Sequence, residues 1–107
     1  MKQFIYILTN NNRNSFQIGI THNLCHTMHH YKEQYQQYYD RAKATARLVY
    51  VEEFESPEQA MAKLTAMSSF TQPQKERLIR SSNPNWTDLS QSGLLAMYNN
   101  HLRQMAS

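Results

Sequence analysis

The sequence predicts one small α+β domain with α/β-type layers, in the element order β-β-α-β-α-α-α. Near the start, two short runs of β-branched and aromatic residues, 2–8 and 15–20, flank a polar turn and predict a hairpin. Later segments carry apolar residues at helical spacing around a further strand-like run. A length of 107 residues fits one domain that buries a modest core without disulfides.

The turn of the predicted hairpin is rich in asparagine, with Arg13 inside the run Asn10-Asn11-Asn12-Arg13-Asn14. Asparagine tolerates left-handed backbone conformations and bonds to its own backbone, so it favours turns. A helix is predicted to follow, with N-cap candidates in 21–23. The residues that share its predicted buried stripe are Leu24, Met28, Tyr31 and Tyr35.

The second half of the chain predicts a strand over 46–54 and then helices. Ser56 and Pro57 are typical of a helix start, and Pro73 opens another helix. The first of these helices is expected to end at about residue 68 and to bury Ala60, Leu64 and Met67. We expect Trp86, after an Asn-Pro turn, to fill the core. Residues 1–90 are assigned to the domain and 91–107 to a C-terminal helical extension packed on it.

Charge gives a mild indication of an anionic partner. The formal charge is +3 and the pI is about 9.1. Four basic residues that lie close together in sequence would favour contacts to phosphate: Lys32, Arg41, Lys43 and Arg47. A solvated surface of mixed charge explains the same residues equally well.

The single cysteine and a pair of histidines bear on compartment and on metal binding. One cysteine, Cys25, cannot form an internal disulfide, and no long apolar run is present, so we expect a cytoplasmic protein with no membrane partner. His22 and His26 are one helical turn apart and are weak candidates for a transition-metal site. The alternative is an exposed polar helix face.

Two tripeptides on the predicted hairpin, Phe4-Ile5-Tyr6 and Gln17-Ile18-Gly19, resemble the paired tripeptides of the GIY-YIG nucleases. The segments 19–24, 46–54 and 83–89 also resemble small stand-alone members of that family, in the same order. The resemblance implies a small, mostly antiparallel three-stranded sheet flanked by helices. It also implies metal-assisted phosphodiester hydrolysis, in which a glutamate holds one divalent cation, an arginine stabilises the phosphate and tyrosines orient or activate water.

When the family's functional residues are placed on this sequence position by position, some are present and others are replaced. Tyr31 fits a place where the family often has tyrosine or histidine. The family arginine falls at Thr27 and the family glutamate at Leu64. Leucine cannot ligate a hard cation, and threonine supplies no positive charge. The full set of family-equivalent positions is Tyr6, Gln17, Gly19, Thr27, Tyr31 and Leu64.

We therefore expect a degenerate GIY-YIG domain that binds nucleic acid without efficient cleavage. No cofactor is expected, and Mg²⁺ or Mn²⁺ would be needed only if nuclease activity is retained. One alternative is a protein-interaction module with a partner protein or a homodimer through the C-terminal helix. Another is a weak metal-dependent DNA endonuclease. The residues expected to contact nucleic acid are Tyr6, Lys32, Arg41, Lys43 and Arg47.

Overall fold

A computed structural model describes residues 2–10, 12–37 and 47–90, with the side chains of 32–37 outside the description. Its strands are β1 (Gln3–Thr9), β2 (Phe16–Thr21) and β3 (Arg47–Phe54), and its helices are α1 (Leu24–Gln37), α2 (Pro57–Met67) and α3 (Gln72–Ser82). This order confirms the first six predicted elements. The seventh, a C-terminal helix, lies outside the described residues.

The three strands form one antiparallel sheet in the order β2-β1-β3. The hairpin turn places Thr9 opposite Phe16 and Tyr6 opposite Gly19. On the other side of β1, the register with β3 shifts between Ile7 and Leu8. The predicted antiparallel sheet is thus confirmed, and β1 is its central strand.

Side chains of β1 alternate between two apolar clusters, one on each face of the sheet. The first, which we call the tyrosine face, contains Phe4, Tyr6, Leu8, Leu24, Met28 and Leu48. The second, which we call the tryptophan face, contains Ile5, Ile7, Val49, Tyr50, Met67, Ile79 and Trp86. The first face is covered by α1, and the second by α2, α3 and the segment that follows α3.

Helix starts agree with the sequence chemistry. The Ser56 side chain accepts a hydrogen bond from the Gln59 N–H, with Pro57 in the first turn of α2. Thr71 and Gln74 form a reciprocal capping box at the start of α3. Leu64, predicted to be buried, is only half-buried and packs at the margin of the tryptophan face.

The segment after α3 is fixed by a buried amide. Asn83 Nδ2 donates to the Val49 carbonyl at 3.0 Å and to the Thr87 carbonyl at 2.9 Å, and Asn83 Oδ1 accepts from the Thr87 N–H. Asp88 accepts from the Leu48 N–H, which ties the segment to β3. Trp86, between these anchors, is 4 % exposed, and its predicted role in filling the core is confirmed.

Among the helices within 2–10, 12–37 and 47–90, none has the length and apolar character needed to cross a bilayer.

Candidate functional site

Tyr6 lies in the middle of the central strand and is 5 % exposed. Its direct partner on β2 is Gly19. Since directly opposite residues of an antiparallel pair point to the same face, the Tyr6 ring extends over the Gly19 backbone. A Cβ atom at position 19 would overlap the Tyr6 ring and hydroxyl. The missing side chain at Gly19 therefore provides the space that Tyr6 occupies.

Tyr31, on α1, joins Tyr6 and Gln17 into one polar cluster. The Tyr6 and Tyr31 hydroxyl oxygens are 3.4 Å apart, and either can be the donor. Gln17 Nε2 donates to the Tyr31 hydroxyl oxygen at 2.6 Å. The two tyrosine rings meet edge to face, with centroids 6.1 Å apart. Four of the predicted positions, counting Gly19, thus come together from β1, β2 and α1.

The hydroxyl of Tyr6 is held in its neutral form. Burial raises the pKa of Tyr6 above its ordinary value, and the hydrogen bond with Tyr31 raises this pKa further. At neutral pH the phenol can donate or accept a hydrogen bond. The raised pKa does not favour a tyrosinate base, so the geometry supports hydrogen bonding by this hydroxyl.

Thr27 lies in the first turn of α1 and is built into the start of that helix. Its hydroxyl oxygen is 2.8 Å from the Thr21 hydroxyl and 3.0 Å from the Asn23 carbonyl oxygen. Asn23 is the helix cap, because its side-chain oxygen accepts a hydrogen bond from the His26 N–H. Thr27 therefore joins the end of β2 to the start of α1 with neutral hydrogen bonds.

Leu64 does not join the Tyr6 cluster. It packs against the cluster that contains Ile5 and Ile7, whereas Tyr6 belongs to the cluster on the other face. Residues adjacent along a strand point to opposite faces of a sheet. Leu64 on α2 and Tyr6 are therefore on opposite sides of β1, and the side chain at position 64 contributes apolar packing.

The basic residues predicted to contact nucleic acid are only partly described. The Lys32 side chain, Arg41 and Lys43 lie outside the described residues. Arg47 is half-buried at the start of β3, and its Nη2 donates to the Trp86 carbonyl oxygen at 3.4 Å. Arg47 is thus placed beside Trp86, away from the Tyr6 cluster with which it had been grouped.

Two further arginines near Trp86 were missed by the sequence analysis. Arg13 Cζ lies 5.0 Å from the centroid of the Trp86 ring, and Arg80 Cζ lies 6.0 Å from it. Both arginine side chains are exposed. The only signal in the sequence was the presence of Arg13 in an asparagine-rich turn, and nothing pointed to Arg80.

The histidine hypothesis rested on a helix that included His22, and that assumption is wrong. Helix α1 begins at Leu24 because Asn23 caps it, so His22 lies before the helix and does not share a helical face with His26. Within the described ranges, no group of three or more histidine, cysteine or acidic side chains is close enough to hold a metal ion.

These features define an antiparallel α+β domain in which paired tripeptides on one hairpin bring a tyrosine and a glycine together. The family model described as "GIY-YIG catalytic domain" matches residues 2–73 of the chain. The chain belongs to the GIY-YIG family, which implies a nuclease-like function related to nucleic acid.

A solved structure shows the same fold. The NMR structure of a UPF0213 protein from Bacillus halodurans matches with a TM-score of 0.55 and 22 % identity, over 87 % of this chain and 98 % of that chain. At this identity the likeness concerns the fold alone. The comparison with curated proteins gave no match.

Proposed function

We propose that this protein is a degenerate GIY-YIG domain that binds nucleic acid and does not cleave it efficiently. One observation supports the loss of cleavage above all others. At the two positions where the family resemblance places charged groups, Thr27 and Leu64 are neutral, and both are engaged in holding the fold together. The family match and the formal charge of +3 support a nucleic-acid partner.

Thr27 cannot replace an arginine at a phosphate. Its hydroxyl is shared with Thr21 and the Asn23 carbonyl, and it brings no positive charge to the developing negative charge of a transition state. Loss of one preorganised transition-state contact of this kind costs about 3–4 kcal/mol, or roughly a hundred- to a thousand-fold in rate.

The side chains available to bind a metal ion do not fit the divalent cation that the family implies. Magnesium and manganese prefer oxygen ligands, and leucine at position 64 has none to offer. The described residues contain no cluster of three or more ligating side chains. We therefore propose that the protein works without a resident metal, and we assign no step to one.

The Tyr6 cluster supports the binding half of the proposal. Tyrosine hydroxyls and the Gln17 amide are neutral donors of the kind that contact phosphate and sugar oxygens. Gln17 is exposed and Tyr31 is half-buried, so the cluster reaches the surface at β2 and α1. We also retain the cytoplasmic location as part of the proposal, because Cys25 is the only cysteine and has no internal partner.

A protein-interaction module is the second candidate. An open groove of about 320 Å³ along α3, lined by Phe70, Leu78, Gln74, Arg77 and Ser81, favours it. The convergence of three arginines on Trp86 favours a nucleic-acid partner instead. A weak metal-dependent DNA endonuclease remains the third candidate, since Tyr6 and Tyr31 are present and linked.

The test is a combined binding and cleavage assay on labelled branched, single-stranded and duplex DNA, with Mg²⁺ or Mn²⁺ present. We expect the natural protein to bind without cutting, with binding that weakens as salt is raised. Metal-dependent cutting that Tyr6→Phe abolishes would show that catalysis survives. Absence of binding at low salt to every DNA would favour the protein-interaction module.

A double variant, Thr27→Arg with Leu64→Glu, tests the positional assignment. Leu64 packs on the side of β1 away from Tyr6, so metal-dependent cleavage gained by the variant would show that a glutamate at this position can nevertheless act with the Tyr6 cluster. Thr27→Gln with Leu64→Gln is the matched control, because it changes the same positions without adding charge. Failure of the first variant to cut more than the control would mean that these substitutions are not what limits catalysis.

A further inference from the structure

Three guanidinium groups from distant parts of the chain meet at Trp86. Arg13 comes from the hairpin turn, Arg80 from the last turn of α3 and Arg47 from the start of β3. The first two lie over the indole ring at 5.0 and 6.0 Å from its centroid, and Arg47 bonds to the Trp86 carbonyl oxygen. These two distances to the same ring set an upper limit on the separation of the Arg13 and Arg80 Cζ atoms.

The backbone at two of these positions is unusual. Arg13 has a φ of 56° and Trp86 a φ of 55°, in the left-handed region that non-glycine residues adopt only at a free-energy cost. The hairpin turn holds Arg13 there through the hydrogen bond from the Arg13 N–H to the Asn10 carbonyl at 3.2 Å. Asparagine fits this conformation better than arginine and occupies the positions on both sides of Arg13. The backbone conformation at position 13 therefore gives no reason for an arginine there.

Neither Arg13 nor Arg80 has an acidic partner within the part of the chain that the structure describes. Lys2 is different, because its Nζ lies 3.2 Å from a Glu53 oxygen and 3.7 Å from a Glu55 oxygen. Like positive charges that converge without neutralisation repel one another, and a bound anion relieves that repulsion. Arg13 and Arg80 are both exposed, so an anion can reach them.

We propose that Arg13 and Arg80 form a phosphate-binding site over Trp86, which contacts the backbone of the nucleic acid bound by this protein. The inference rests on the proposed function and adds a second contact surface to it. Arginine matches phosphate geometry with paired N–H donors, and stacking on an aromatic ring holds the guanidinium plane in place. Trp86 is the platform that orients the two groups.

The two contact surfaces adjoin along one sheet edge. Strand β2 is an edge strand, and its consecutive residues Phe16 and Gln17 belong to different surfaces. The Phe16 ring lies 6.1 Å from the Trp86 ring, while Gln17 bonds to Tyr31 in the Tyr6 cluster. A nucleic-acid strand that crosses the β2 edge would contact both. Because the two surfaces adjoin, the positive charges that contact nucleic acid need not lie within the Tyr6 cluster.

A purely structural role predicts different behaviour. If Arg13 and Arg80 only shield the Trp86 ring, their loss lowers stability slightly and leaves DNA binding unchanged. If they bind phosphate, each removed contact lowers the salt slope of binding, log Kd against log salt, by about 1. The salt slope therefore separates the two roles.

The experiment measures Kd by fluorescence anisotropy of labelled duplex DNA at several salt concentrations, for the natural protein and for Arg13→Gln/Arg80→Gln. Lys75→Gln/Arg77→Gln is the matched control, because it removes two positive charges from α3 without touching Trp86. We expect the first variant to lower the slope by about 2 and the control to change it by less than about half as much. Equal slopes in the two variants would overturn the proposal while leaving DNA binding itself intact.

Trp86 gives a second readout, as the only tryptophan in the chain. With excitation that avoids tyrosine, DNA should change its emission in the natural protein and in Arg13→Lys/Arg80→Lys, which keeps both charges. This readout keeps the proposal testable if the glutamine variant fails to fold. DNA binding that leaves Trp86 emission unchanged, together with an unchanged salt slope, would reject the phosphate site. No DNA binding at all would reject the proposed function as well.

Discussion

The two faces of the sheet use polar residues in different ways. On the tyrosine face, Tyr6, Tyr31 and Gln17 hold one another through neutral hydrogen bonds. On the tryptophan face, cationic side chains gather around a buried indole ring. The Tyr6 cluster is thus neutral, whereas the positive charge around Trp86 on the opposite face is not explained by the family chemistry.

Under the proposed function, this difference would reflect a scaffold that is kept while its chemistry changes. Tyr6 and Gly19 are locked together by packing, so either one constrains the other. Thr27 and Leu64 are each bonded or packed in a way that an arginine or a glutamate would have to break. At these two half-buried positions the neutral side chains stabilise the fold without the cost of partly desolvating a charge.

The largest expected effect is on the tryptophan face. Trp86→Ala removes a ring that is 4 % exposed and leaves a cavity between the sheet and the segment after α3. We expect a loss of about 3–5 kcal/mol in the free energy of unfolding, measured in urea. Trp86→Phe is the control and should lose less, because an aromatic ring remains. A loss below about 1 kcal/mol for the alanine variant would mean that Trp86 is not a main anchor of this face.

The next effect concerns the tyrosine face. Gly19→Ala places a methyl group where the Tyr6 ring lies, and we expect a loss of about 1–3 kcal/mol from overpacking. In a double-mutant cycle with Tyr6→Ala, the two losses should not add, because the clash disappears with the ring. Additive losses would show that Gly19 is required for some reason other than the Tyr6 ring.

Much of this arrangement was predictable from local sequence. The strand patterns, the Ser56-Pro57 helix start and the spacing of the two tripeptides indicated the hairpin and the Tyr6–Gly19 pair. The cap of α1 was predicted within residues 21–23, and the hydrogen bond from the His26 N–H to the Asn23 side chain selects Asn23 among them.

Contacts between distant residues could not be predicted in the same way. Arg13 and Arg80 are far apart in sequence, and no periodicity or motif links them. Both arginines lie near the Trp86 ring because the hairpin turn and the end of α3 lie at the same end of the tryptophan face. Likewise, the resemblance identified Leu64 as an equivalent position but could not show that it packs on the face away from Tyr6.

Alkaline pH affects both faces through one buried tyrosine on each. Burial raises the pKa of Tyr6 and of Tyr50, and hydrogen bonds to Tyr31 and to Glu52 raise these two pKa values further. Unfolded tyrosine titrates near pH 10, so the stabilisation is complete below that pH and is lost as the pH rises above it. We expect the free energy of unfolding to fall above about pH 10. Tyr6→Phe and Tyr50→Phe should each reduce this dependence.

Equal pH dependence in the natural protein and in both phenylalanine variants would mean that neither tyrosine is responsible. A difference in pH dependence between the two variants would show which face depends more on its buried tyrosine. The Tyr50 hydroxyl donates to Glu52 at 2.6 Å, whereas the Tyr6 hydroxyl meets another neutral phenol at 3.4 Å. The carboxylate is the better acceptor, so the larger change is expected for Tyr50→Phe.

The smallest expected effect is that of Gln17→Leu. The amide of Gln17 donates to Tyr31 at an exposed position, and such a bond contributes about 0.5–1.5 kcal/mol. Gln59→Leu, at an exposed site in the first turn of α2, is the control and should change stability by less than about 0.5 kcal/mol. If both variants lose equally little stability but only Gln17→Leu weakens DNA binding, Gln17 acts at the ligand and not within the fold. The tyrosine face would then be a binding surface in which Gln17 serves as a hydrogen-bond donor to the ligand.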